Sequence, residues 1–238
     1  MYEKDGIVWP RVTDIISDCT NSSHGLMQWS ANQVVDWIKE NCESEEFVDF
    51  YWVYTDSLEQ ARYAYKDTSR IALDVGSDVH NAIEKHLKKE SYTLASTQAE
   101  QAFKAFIEWE DSVELKPFKL EQTVWGKNFA GTLDFYGLYK GKLYVIDWKT
   151  SKAFYPEMRF QVAAYRNEMD TWLRSTSDGP RYLKTDGCGV LMLDKSTGMP
   201  TFKDTSKTYN ADLAVFEAMV NLFYLRHPRI RKRFEKGE

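Results

Sequence analysis

Cysteine is scarce in this chain of 238 residues: Cys19, Cys42 and Cys188 stand far apart and are odd in number. They give no disulfide framework and no four-cysteine metal site, and a reducing compartment is the simplest inference. No uninterrupted apolar stretch approaches the length of a membrane span. The opening MYEKDGIVWPRVTDI carries acids and no apolar run, so it reads as neither a signal peptide nor a transit sequence. A cytoplasmic setting, bacterial or in a phage-infected host, is the expectation. No internal repeat, low-complexity tract or Walker A loop is present in the sequence, which leaves no ATP motor of its own to propose. Excess positive charge is also missing. The formal net charge of −5 rules out a polycation, but a metal centre needs clustered acids and a phosphate track can be local.

What is there suits a soluble globular fold. The chain is 43% hydrophobic and 28% charged, enough to bury a sizeable core in one large domain. Eight tryptophans make it rich in large rings. Most serve core packing on this reading, with Trp29, Trp37, Tyr51 and Trp52 as candidates to stack on bases. Acids gather in the first seventy residues and bases at the end, in RHPRIRKRFEK. That tail, with Arg226, Arg229, Arg231, Lys232 and Arg233, reads equally as a DNA-backbone track or a solvated helix end.

The element order is legible in outline. Residues 12–42 read as helical with a polar break, Thr13 capping a short helix and Ser30 or Asn32 a longer one. Val34, Val35 and Ile38 share one side of the second, with Trp37 close by. The aromatic stretch FVDFYWVYTDSLEQARYAYKDTSR favours helix. Gly76 marks a turn before a helix that begins near Ser77 or Asp78, with Ser77 as N-cap. A further helix spans TQAEQAFKAFIEWEDSVEL. After Pro117 the apolar period becomes two, with breaks at Gly126-Lys127-Asn128 and Lys140-Gly141, predicting three consecutive antiparallel strands. A helix follows Pro156. Then come a strand, a turn at Ser196-Thr197-Gly198, a short strand, and a closing helix. This order predicts an α/β fold: a mixed sheet flanked by helices, with an N-terminal helical lobe over 1–75, a core over 76–205, and a C-terminal helix with basic tail over 206–238.

The chemistry concentrates in residues 129–165. Asp134 sits in the middle strand of the meander, and Asp147 and Lys149 at the end of the next. Alternation puts Asp147 and Lys149 on one face with Trp148 on the other. Across a hairpin turning at Lys140-Gly141, Asp134 and Asp147 are near-opposite neighbours. Two carboxylates and an ammonium on one patch can hold a hard cation and act on a phosphodiester. A lone Asp-x-Lys is commonly a surface ion pair contributing at most ~1 kcal/mol. Here Leu133, Phe135, Val145 and Ile146 flank the acids, and acids inside apolar strands are costly unless paired or metal-bound.

GTLDFYGLYKGKLYVIDWKTS followed by QVAAY resembles the RecB-like branch of the PD-(D/E)XK nucleases, closest to the small single-domain exonucleases typified by the mitochondrial genome maintenance exonucleases and to related phage enzymes. The match is a strand Asp after G-T, a D-x-K ending the next strand, a Q-x-x-x-Y helix and an upstream helix with a histidine, His80 in GSDVHNAIE. WPRVTDII with LMQWSA resembles the N-terminal pattern, while 43–70 and the region after 195 match less clearly.

The resemblance implies a Mg²⁺- or Mn²⁺-dependent DNA exonuclease favouring single-stranded or free DNA ends, of the kind used in DNA repair and recombination. Its rivals are an endonuclease on the same core and a non-catalytic nucleic-acid-binding or recombination protein. By the resemblance, His80, Asp134, Asp147 and the Trp148 carbonyl ligate the cation, Lys149 acts on the attacking water, and Gln161 and Tyr165 position the lysine or the DNA. Glu84 is either an additional acid of the site or a surface partner of Lys88, and Glu121 is a further candidate to face the site. Thr150, Ser151 and Lys152 are candidate phosphate contacts, as are Arg229 and Arg231. The four-cysteine iron–sulfur cluster of many RecB-like members is not expected here. His24, His86 and His227 carry no comparable support.

Overall fold

The computed structural model describes residues 1–4, 6–20, 29–37, 50–175 and 184–230, with backbone alone for 50–60 and 62. It divides into two compact units, one formed by Met1–Thr20 with Asp78–Glu238 and the other by Asn21–Ser77. In the larger unit, strands β1 (Tyr2–Lys4) and β2 (Ile7–Trp9) form a small hairpin. Its turn places Gly6 at φ 75°, a conformation that favours glycine. Helix α1 (Val12–Thr20) follows. It begins one residue before Thr13, so Thr13 is not its cap. Asp14 instead reaches back to the backbone N–H of Arg11 at 3.3 Å and to the Arg11 guanidinium at 2.9 Å.

In the smaller unit, residues 29–37 (α2) are helical, so Ser30 and Asn32 lie within the helix rather than at its cap. Val35 is exposed, against the expectation of an apolar side; Ile38 lies outside the described residues. Thr68 donates to the Gln33 side chain at 3.0 Å. Helix α3 (Phe50–Leu87) runs unbroken through Gly76 and Ser77, where the sequence predicted a turn and a fresh cap. A helical glycine costs about 1 kcal/mol. Val75, Val79, Ala82 and Ile83 keep a helical apolar period across it and are all buried, which outweighs that cost.

The rest builds the sheet and its layers. Helix α4 (Thr97–Asp111) is capped by Ser96, whose hydroxyl accepts the Ala99 N–H at 3.2 Å. Strands β3 (Leu115–Trp125), β4 (Ala130–Tyr139), β5 (Lys142–Lys149), β6 (Gly187–Leu193) and β7 (Pro200–Asp204) form one mixed sheet in that order. Every neighbouring pair is antiparallel except β5 and β6, which are parallel. Parallel neighbours need a long crossover, and helix α5 (Pro156–Ser175) supplies it. Helix α6 (Tyr209–Arg226) closes the unit.

Helices cover both faces. On one, Trp148 lies edge-on to Phe106 and Trp109 of α4, with ring centroids 5.5 and 6.0 Å apart. On the other, Leu133, Val145 and Val190 pack with Ile15 of α1, Val162 and Met169 of α5, and Phe216 of α6. This burial explains why Met1–Thr20 belongs with the sheet rather than with the helical lobe predicted for 1–75. Among the described residues, no helix is long and apolar enough to cross a membrane.

Candidate active site

The hairpin register brings the key acids together. The β4–β5 ladder runs from Tyr139–Lys142 to Phe135–Ile146 and stops. Asp134 and Asp147 occupy the next rung, where the two backbones part. The freed Trp148 N–H donates to Asp134 Oδ2 at 2.7 Å, so a side chain replaces the missing ladder bond. On the other flank, Trp125 pairs with Ala130 and Leu120 with Phe135, which places Glu121 across from Asp134. Glu121 has φ 47°, one of three non-glycine residues at positive φ among the described residues. A strained backbone at a cluster of acids is a recurrent mark of a functional position.

His80 enters from α3. Its Nδ1 lies 3.3 Å from Asp134 Oδ1 and 4.0 Å from Glu121 Oε1. Its Nε2 lies 3.0 Å from the Trp148 carbonyl oxygen, to which it donates when protonated there. One ligand atom each from His80, Glu121 and Asp134 falls within 4.8 Å of the others. Asp147 stands beside this group rather than in it. It is almost wholly buried, with Lys149 Nζ 2.5 Å from its Oδ2. The structure thus brings His80, Asp134, Asp147, Lys149 and the Trp148 carbonyl into one region, with Glu121 beside His80 and Asp134.

Charge in this region is out of balance. Glu121, Asp134 and Asp147 face two cationic groups, Lys149 and His80. Burial opposes the His80 imidazolium, but the adjoining Asp134 carboxylate outweighs it and holds the pKa up at about 9. Burial also works against the Asp134 carboxylate, and His80 reverses this to leave it below its ordinary value. Glu121, whose nearest cation is His80 at 4.0 Å, is pushed up to about 7 by burial and by Asp134, with His80 opposing. Asp147 is raised by burial, with Lys149 opposing. Buried and half-buried carboxylates in excess of cations, with an imidazole among them, fit a divalent cation: carboxylate oxygens suit Mg²⁺ and Mn²⁺, and an imidazole nitrogen is an acceptable additional donor.

Helix α5 forms the opposite wall. Gln161 Nε2 donates to Tyr165 Oη at 3.0 Å, and both residues are buried. Tyr165 lies against Gly131, where an added Cβ would come 2.5 Å from the ring Cε1. The glycine of the GTLD segment is therefore needed for space. Lys149 and Gln161 also line an open groove of about 370 Å³ with Thr13, Ser17, Tyr155 and Glu157. No sequence signal had linked Thr13, Ser17 and Tyr155 to the site.

The remaining candidates fare differently. Glu84 is paired with Lys88 at 2.5 Å, the surface alternative weighed for it. Ser151 donates to the Ala153 carbonyl at 2.9 Å, Thr150 is half-buried just past β5, and Lys152 is exposed. Arg226 is held by the Asp18 carbonyl at 2.7 Å, Arg229 is exposed, and Arg231, Lys232 and Arg233 lie outside the described residues. The side chains of Tyr51 and Trp52 are likewise outside the described set. His86 is bonded to Glu110 at 2.7 Å, as befits a structural histidine. Compared with family models and with curated proteins, the chain matches none.

Proposed function

We propose that this protein is a Mg²⁺- or Mn²⁺-dependent deoxyribonuclease of the PD-(D/E)XK type, hydrolysing phosphodiester bonds from single-stranded or free DNA ends. The observation that carries this reading is the convergence of His80, Glu121 and Asp134 within 4.8 Å, next to the Asp147–Lys149 pair. A purely structural pairing of His80 with Asp134 and of Lys149 with Asp147 has no need of a third carboxyl. The preference for ends rests on the motif resemblance alone, as does a role in DNA repair or recombination.

His80, Asp134 and Glu121 would hold the cation, with the Trp148 carbonyl and Asp147 at its margin. A cation held there would supply polarisation of the phosphate and a lowered pKa for the attacking water. The chain's own groups set the geometry. Asp147 holds the Lys149 ammonium at the mouth of the groove, where it can orient a water or offset charge on a phosphate oxygen. The Gln161–Tyr165 pair, wedged against Gly131, fixes the wall that faces this ammonium. The His80 contact with the Trp148 carbonyl pins the end of β5 and with it the adjoining Asp147 and Lys149.

Digestion of end-labelled single- and double-stranded oligonucleotides with Mg²⁺, Mn²⁺ or EDTA tests the proposal. Cleavage should require metal and vanish in Lys149→Ala. Metal-independent cleavage, or a Lys149→Ala protein as fast as wild type, would overturn it. Covalently closed circular DNA should survive, and its cleavage would select the endonuclease alternative.

A further inference from the structure

Strand β3 is an edge of the five-stranded sheet. Edges are commonly blunted with lysine, proline and bulges, and β3 has Pro117 and a register shift between Pro117 and Lys119. Blunting does not call for exposed rings, yet Phe118 is 48% and Trp172 of α5 is 44% exposed. Four lysines each stand over a ring: Lys4 is 5.3 Å from the Trp125 centroid, Lys119 5.6 Å from Trp172, Lys116 6.0 Å from Phe118 and Lys140 5.4 Å from Tyr139. The lysine ion pairs among the described residues involve Lys88, Lys104 and Lys149, so no carboxylate among them claims these four.

Two grooves adjoin this edge. One, of about 420 Å³, is lined by Lys4, Gln122 and Trp125; the other, of about 380 Å³, by Phe118, Lys119 and Tyr136; Trp172 lines both. Glu168 and Asp186 also contribute. Asp186 accepts the Leu143 N–H at 2.8 Å, and Glu168 is bonded by Asn167 at 3.1 Å. The edge leads back to the candidate site, because Tyr2 packs on Trp125 at 6.0 Å and is hydrogen-bonded to Thr132 at 2.8 Å, two residues before Asp134.

We infer that this edge is a track for single-stranded DNA, with unpaired bases stacking on Trp172 and Phe118 while phosphates pass Lys4, Lys116, Lys119 and Lys140. Stacking on the exposed part of each ring, the face away from its lysine, selects unpaired bases over a duplex, and lysines without carboxylate partners supply a sequence-independent charge. The inference rests on the nuclease reading for its occupant, and adds where the strand runs beyond the scissile bond.

The test is fluorescence anisotropy of a labelled oligothymidine of about 20 nucleotides, long enough to occupy a stacking track, with the full chain in EDTA so that no cleavage intervenes. Trp172→Ala should weaken binding about tenfold, and Trp172→Phe should keep most of it. Lys4→Glu with Lys119→Glu should weaken it further and flatten its salt dependence. All three positions are exposed, and thermal unfolding checks that each variant is folded. Wild-type affinity in Trp172→Ala, or a duplex bound as tightly as the single strand, would overturn the track. An oligouridine bound more tightly than the oligothymidine would overturn the assignment to DNA. Trp172-dependent binding by a protein that hydrolyses nothing with Mg²⁺ would sink the nuclease reading and leave the track standing.

Discussion

Replacing Gly131 by alanine tests whether the wall of the site is set by packing between β4 and α5. The added Cβ would lie 2.5 Å from Tyr165 Cε1, 3.1 Å from its Oη and 3.2 Å from its Cζ. Carbon atoms in favourable contact sit about 3.5–4.0 Å apart, so the ring must retreat by roughly 1 Å. Tyr165 is buried and tied to Gln161, which leaves it little freedom to swing away. Overpacking of this kind costs about 1–3 kcal/mol, a fall in Tm of roughly 2–12 °C for a unit of this size. If the nuclease reading holds, a displacement of ~1 Å beside the reacting groups should also lower hydrolysis about a hundredfold. Chemical denaturation of Gly131→Ala, Tyr165→Leu and the double variant closes a cycle. Because the leucine removes the obstructing ring, the alanine should be far less costly in that background, with an interaction energy within about 0.5–3 kcal/mol. Equal cost in both backgrounds, or no cost in either, would refute the steric account.

Three further outcomes are expected. By titration calorimetry, Glu121→Gln should weaken Mg²⁺ or Mn²⁺ binding roughly tenfold or more, a loss typical of disturbed metal sites, while Glu84→Gln stays close to wild type; the reverse ranking would remove Glu121 from the donor set. Arg166→Met should destabilise the larger unit by about 1–3 kcal/mol, because it leaves the buried Thr185 carbonyl without the guanidinium bond at 2.6 Å, while Asp170 keeps its bonds from Thr185. Urea unfolding reads this directly, and a change below about 1 kcal/mol would count the network as dispensable. Trp148→Ala should cost about 3–5 kcal/mol through the cavity left among Phe106, Trp109 and Phe135, and an unchanged melting curve would contradict the packing described for that face.

Local pattern determined a good deal of this molecule. Apolar runs broken at Gly126-Lys127-Asn128 and Lys140-Gly141 specify β3, β4 and β5, because β-forming residues favour the extended backbone and the turn residues bound each run. The two turns also fix register, and register alone predicts that Asp134 faces Asp147. The same arithmetic across the first turn sets Glu121 opposite Asp134, a signal that was present in the sequence and only loosely read. The β1–β2 hairpin went unpredicted even though Asp5-Gly6 is a standard turn pair. Gly76 misled for the opposite reason: glycine is only a weak helix breaker, and Val75, Val79 and Ile83 continue the stripe through it.

Tertiary structure decided the rest. His80 lies dozens of residues from Asp134, and no periodicity reports which face of a helix will meet a sheet. That Glu121 rather than Asp147 stands beside His80 and Asp134 depends on where α3 delivers the imidazole against the sheet. Gly131 carries no unusual backbone angle in its favour, and its necessity appears only when Tyr165 packs against it. Sequence determines which groups each strand and helix offers because those choices rest on near neighbours in the chain. Which of the groups finally touch rests on close packing between distant segments.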